Sequence, residues 1–141
     1  MARYVVDASV AVSLVLRDEP FHPCAMAPFE RFAKHELELL TVPLLIFEVT
    51  NALWKAVRLG RIDFDDAMEA VRKIVELRIP YEHVHPATIL ELAHEHKRTA
   101  YDAAYLALAE REEATLVTAD KRLYNALKGR FRKIVWIESL E

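Results

Sequence analysis

The chain has 141 residues, is 53% hydrophobic and 29% charged, and carries a formal net charge of -3, the profile of one folded domain with its own core and not of a disordered segment. Its only glycines, Gly60 and Gly129, exclude a P-loop or a dinucleotide fingerprint, which need clustered glycines beside phosphate. The single cysteine, Cys24, excludes an intrachain disulfide and a cysteine-built zinc site, and no apolar run approaches the roughly 18 residues of a membrane helix.

Nothing at the N-terminus resembles the apolar core of a signal peptide, so a cytoplasmic location is the expectation. Tyr4-Val5-Val6 reads as a short buried strand stopped by Asp7, and Val10 to Leu14 as the start of a helix. Residues 21–37 fit a helix, with Phe29, Phe32 and Ala33 at i, i+3 and i+4. Leu39-Leu40-Thr41-Val42 reads as a second strand ended by Pro43.

A long apolar helix is predicted over 45–59, with Gly60 at its C′ position. Asp63 fits an N-cap for a helix over 64–77, and Pro80 closes that segment. Residues 81–85 read as a short edge strand, and Pro86 suits the first turn of a helix reaching about Lys97. An alanine-rich helix over 100–112, a strand over 115–118, a helix over 121–128 ended by Gly129, and a strand over 134–137 complete the chain. Strands alternating with helices predict a parallel sheet covered on both faces, in a single α/β domain over residues 1–141.

Ligands in such sheets bind beyond the carboxyl ends of the strands. Asp7 and Asp120 each follow an apolar strand and precede a helix, so each is either a helix N-cap or a site carboxylate. Asp102 lies among small residues, Ala100-Tyr101-Asp102-Ala103-Ala104, which predicts a closely packed, buried helix start. An ionised carboxylate there needs a partner or a metal, or else is a simple helix cap stabilised by the free N–H groups of the helix start. Glu48, Asn51 and Lys55 form one polar stripe on an apolar helix, facing either water or the same crevice as the acids.

Together the segments Val5-Val6-Asp7-Ala8-Ser9, Glu48-Val49-Thr50-Asn51-Ala52-Leu53, Tyr101-Asp102-Ala103-Ala104-Tyr105-Leu106-Ala107-Leu108-Ala109 and Leu116-Val117-Thr118-Ala119-Asp120 resemble a PIN-domain ribonuclease. More closely they resemble the VapC-type toxins of toxin–antitoxin operons. The resemblance spans nearly the whole chain and keeps four motifs in order. It implies a three-layer α/β/α fold with a central parallel sheet of about five strands. It also implies that Asp7, Glu48, Asp102 and Asp120 hold Mg²⁺ or Mn²⁺, with Ser9, Asn51 and Thr118 positioning water or ligands. RNA as substrate, an antitoxin as partner and a homodimer follow from the same resemblance. Two alternatives stay open: an RNA-processing nuclease without antitoxin, and a catalytically silent scaffold.

Other residues carry weaker signals. Lys121, Arg122, Lys128, Arg130, Arg132 and Lys133 crowd the stretch after Asp120, as a phosphate-contacting cluster or a solvated face. His83 and His85 alternate on one side of a strand, but His94 and His96 lie too far around a helix to chelate together, which disfavours a histidine metal site. A phosphoacceptor receiver domain also gathers acids at strand ends, but the second strand here ends in Val42-Pro43 with no acceptor acid.

Overall fold

The structure, a computed structural model, describes residues 1–140. Four short strands, β1 (Arg3–Val6), β2 (Glu38–Leu40), β3 (Thr115–Thr118) and β4 (Ile134–Trp136), form one sheet in the order β2-β1-β3-β4. All pairings are parallel, with Val5 opposite both Leu40 and Leu116 and Thr118 opposite Trp136. The strands need no polar outer face, because helices cover the sheet; Val5, Val6, Leu116 and Val117 are all fully buried.

Among the described residues seven α-helices flank the sheet: α1 (Ala8–Val15), α2 (His22–Ala33), α3 (Leu44–Arg58), α4 (Phe64–Glu76), α5 (Pro86–His96), α6 (Ala100–Arg111) and α7 (Lys121–Leu127). Helix α6 packs on β1 and β3, the middle of the sheet, and every residue from Ala103 to Ala109 is buried. Small side chains make that possible, since alanines let a helix approach the strands closely. One continuous apolar core links these strands and helices, from Val5 and Val10 to Leu127 and Ile137.

The expected sheet of about five strands has four. The segment at residues 81–85 contributes one parallel bridge, Thr41 with Tyr81, held by Thr41 N–H to Pro80 O and Glu82 N–H to Thr41 O. Pro43 stops β2 from extending and Pro80 offers no N–H, so prolines confine the ladder on both sides. The helix expected over 21–37 stops at Ala33, where His35 takes a left-handed φ of 60° and Glu36 N–H returns to Arg31 O. This frees Leu37 to enter the core before β2. Helix α3 ends in the same kind of cap: Gly60, at φ 74°, is followed by Arg61 N–H donating to Ala56 O.

Chain order reverses between β1 and β3, because β2 lies beyond one and β4 beyond the other. The crevice at such a switch point opens outside the carboxyl ends of the two central strands. Asp7 follows β1 and Asp120 closely follows β3.

Candidate active site

Asp7 is the buried acid of the crevice, only 5% exposed. It caps α1 by accepting from Val10 N–H at 3.2 Å, and Ser9 donates to the same oxygen, Oδ1, at 2.5 Å. Thr118, at the end of β3, donates to Oδ2 at 2.5 Å. Each hydroxyl is itself oriented by backbone across the switch point: Ser9 Oγ accepts from Ala119 N–H at 2.8 Å, and Thr118 Oγ1 accepts from Asp120 N–H at 3.0 Å. With both hydroxyl protons directed to Asp7, the 3.3 Å approach of Ser9 to Thr118 is a by-product of this ring. The ring stitches β1 and α1 to the β3–α7 turn.

Asp120 caps α7, its Oδ1 accepting from Arg122 and Leu123 N–H at 3.0 and 3.2 Å. Both strand-end aspartates are therefore N-caps, and capping leaves them beside each other at the crevice. Glu48 lies on the buried-side edge of α3, where the Tyr105 hydroxyl of α6 donates to its Oε1 at 2.6 Å. Asp102, in the first turn of α6, holds an ion pair with Arg98, whose Nε and Nη2 both reach Oδ2, at 3.2 and 3.1 Å.

The expectation that Asp102 sits at a buried helix start is corrected here. Its side chain is 27% exposed, and Tyr101 before it is largely in solvent. The burial of the alanines begins one residue later, at Ala103. Its N-cap is Thr99, whose hydroxyl accepts from Asp102 N–H.

Electrostatics couples the four acids. Burial pushes the Asp7 carboxyl up to about 6; hydrogen bonds from Ser9, Thr118 and Val10 oppose this, and the Asp120 charge adds to it. Glu48 is raised by burial and by repulsion from Asp102, against the Tyr105 bond. Asp102 is raised by burial and by Asp120, with Arg98 pulling the other way. Tyr105 is held in its protonated form by burial and by the charges of Glu48, Asp7 and Asp102. Arg98 is the one cation that enters these balances.

The donor set is carboxylate oxygen alone, which suits a hard divalent cation such as Mg²⁺ or Mn²⁺ over zinc. The acids are arranged as held pairs: among the described residues, no three His, Cys, Asp or Glu side chains converge closely enough to enclose an ion. Asp7 faces hydroxyl donors and Asp102 faces Arg98. The chemistry of the donors fits a metal, and the mutual repulsion of the acids is what a metal relieves.

Asn51 is exposed, and its side chain makes no hydrogen bond to the acids, whereas Ser9 and Thr118 both do. Tyr105 and Arg98 were not singled out by sequence reasoning. Tyr105 follows Asp102 at i+3, on one face of α6, whereas Arg98 lies just before the N-cap Thr99 and reaches Asp102 from outside the helix. The histidines take other roles: His85 caps α5 through Nδ1, and His96 is buried against Phe131. Arg61 is neutralised by a bidentate pair with Asp18 at 2.9 Å, so it is no free phosphate contact.

A family profile described as the PIN domain matches residues 4–128. The protein called Exonuclease VapC9 of Pyrobaculum aerophilum is 34% identical over 126 residues, covering 89% of this chain and 86% of its own. Ribonuclease VapC3 of the same organism is 34% identical over 125 residues, covering 86% and 92%. The crystal structure of PAE2754, also from Pyrobaculum aerophilum, superposes with a TM-score of 0.73 at 31% identity, over 98% of this chain and 92% of that one. All four acid-bearing motifs fall inside the matched span. On that match, and on a parallel sheet with acids at its switch point, the chain belongs to the PIN-domain family.

Proposed function

We propose that the protein is a Mg²⁺- or Mn²⁺-dependent ribonuclease, the toxin of a VapBC-type toxin–antitoxin pair, acting in the cytoplasm as one domain over residues 1–141. The observation that carries the reading is Asp7: a carboxylate that is 5% exposed, with no cation beside it and hydroxyl donors on both oxygens. A buried carboxylate in a crevice, with no cation beside it and its pKa raised by burial, is a candidate functional group. The relatives named Exonuclease VapC9 and Ribonuclease VapC3 supply the class of reaction.

In this reading Asp7, Glu48, Asp102 and Asp120 hold the cation. When bound, the cation supplies a water of lowered pKa and stabilises charge on the phosphate and its leaving 3′ oxygen. Ser9 and Thr118 spend their protons on Asp7, so their part is to fix its orientation and not to act as bases. Glu48, its pKa raised by burial and held at Oε1 by Tyr105, is suited to take a proton from the attacking water at Oε2. Arg98, paired with Asp102, is the cation placed to meet phosphate charge at the acids. The product fragment carries a 5′ phosphate.

Purified protein incubated with total RNA and Mn²⁺, followed by mapping of new 5′ ends, tests the reading. Asp7→Asn and Asp102→Asn proteins that cut as fast as wild type would sink it. Because one relative is named an exonuclease and another a ribonuclease, the mapped ends also separate trimming from internal cleavage. The toxin role and its partners are tested at the gene and the column: a short adjacent reading frame with a DNA-binding N-terminus is expected, and a dimer on size exclusion. Absence of that frame would favour an RNA-processing nuclease.

A further inference from the structure

Residues 121–133 hold six of the chain's 19 lysines and arginines and none of its 22 acids. Of the 13 lysines and arginines elsewhere, six, Arg3, Arg31, Arg61, Lys73, Arg98 and Arg111, sit in ion pairs. None of the six within residues 121–133 pairs with a carboxylate among the described residues. In a chain of net charge -3, this is a concentrated positive strip.

The strip is partly pre-organised. Lys121 and Tyr124 lie at i and i+3 on α7, and Lys128 is its C-cap. The Lys121 ammonium lies over the Trp136 ring at 4.5 Å and the Tyr124 ring at 5.7 Å, and that of Lys128 lies over Tyr124 at 5.9 Å. Both ammoniums thus contact the one Tyr124 ring.

Two contacts join the strip to the crevice. Lys121 and Arg122 directly follow Asp120, and Arg122 N–H is bound by its carboxylate. Arg130 Nη2 donates to Glu95 O at 3.2 Å, which draws the loop after α7 against the end of α5. From there the chain turns through Arg98 to Asp102.

The chemistry of the strip selects its partner. Among the described residues no large hydrophobic side chain after Tyr101 is exposed, whereas Phe47, Trp54, Tyr81 and Leu90 all are. Protein interfaces are enriched in such side chains and depleted in lysine; nucleic-acid interfaces are polar and strongly positive. We propose that this strip is the track for the RNA backbone, carrying the strand along α7 away from the acids. The proposal rests on the ribonuclease reading and adds to it where, and on which side, the substrate lies.

The test is anisotropy of a fluorescein-labelled single-stranded RNA in EDTA, over a series of salt concentrations. With Lys121, Arg122 and Lys128 all changed to Gln, the slope of log K against log salt should shrink by about 2, from three contacts at about 0.7 each. Binding at low salt should weaken about tenfold or more. Arg122→Gln alone removes no ring contact, so the core is untouched, and should shrink the slope by about 0.7. A control with Lys34, Arg72 and Arg78 changed to Gln has the same net charge as the triple variant and should keep the wild-type slope. An unchanged slope in the α7 variants, or an equal loss in the control, overturns the proposal. Since the assay needs no turnover, the two ideas fail separately. A protein that binds RNA through this strip and never cuts it with Mn²⁺ defeats the nuclease reading alone.

Discussion

The Tyr105 hydroxyl and Glu48 Oε1, 2.6 Å apart, tie α6 to α3 beside the crevice. Tyr105 is only 3% exposed, so its hydroxyl is committed to that single partner. Removing it leaves Glu48 with the same burial and no donor. Tyr105→Phe should lose about 1 kcal/mol of stability, the typical net worth of such a bond. Cleavage should slow by about tenfold through misorientation of Glu48. A melting curve and a single-turnover rate check the two effects; an unchanged rate would remove Glu48 from the machinery.

The Asp7 carboxyl, raised by burial to about 6, makes stability depend on pH in a defined direction. Between its ordinary value of 3.8 and about 6 the folded protein holds a proton that the unfolded chain has lost. Stability from this group is therefore present at low pH and falls as pH rises through that window, levelling off above it. The difference is on the order of 3 kcal/mol. Measured in EDTA, the melting temperature of Asp7→Asn minus that of wild type should rise from pH 4 to pH 7. A flat difference would show that Asp7 ionises in the fold as it does in the unfolded chain. Mn²⁺ should raise wild-type stability at pH 7 and do so much less for Asp7→Asn.

Thr118 is fully buried and serves two partners, donating to Asp7 and accepting from Asp120 N–H. Thr118→Val keeps the shape but leaves both unsatisfied, which costs about 1–3 kcal/mol for each buried group. The Asp7 pKa should climb further, because Thr118 is one of the groups that lower it. The expected result is a lower melting temperature and a pH–rate profile whose acidic limb moves to higher pH. An unmoved limb would separate Thr118 from the chemistry.

Arg98 donates twice to Asp102 Oδ2, an oxygen that the proposed cation would use. In Arg98→Gln that competition is gone, so calorimetric titration should show Mn²⁺ binding several-fold tighter. Cleavage should nevertheless fall, since the charge that would face the phosphate is lost. If Mn²⁺ binds no better and only the melting temperature drops, Arg98 is a helix-end tie and nothing more.

Much of the site could be read before any coordinates, because strand ends carry their own punctuation. An apolar run followed by Asp and a helix reports both a strand stop and an N-cap, so Asp7 and Asp120 were legible as residues facing the sheet's carboxyl edge. What they share was not: whether β1 and β3 are neighbours depends on strand order, which no local pattern encodes. The environment of Asp102 was misjudged for a related reason. Alanines announce close packing of α6, but which turn of the helix enters the core is decided by where α5 delivers the chain, and the turn at Lys97 and Arg98 leaves Asp102 partly in water. Glu48 gave only a polar stripe; its inward neighbour, Tyr105, comes from an element 57 residues away.

The sequence by itself determined the alternation of strand and helix and the caps that stop and start them, because these follow from spacing and from residue chemistry within a few positions; the four acids form a set only through the family resemblance of their motifs. The tertiary structure alone decided that β1 and β3 lie side by side, that the fifth strand shrinks to a bridge at Tyr81, and that Ser9 and Thr118 close a ring on Asp7. It also decided that Asp7 and not Asp102 is the buried carboxylate. Burial, strand neighbours and long-range hydrogen bonds are properties of the packed chain, and each required the whole core to be assembled before it had a value.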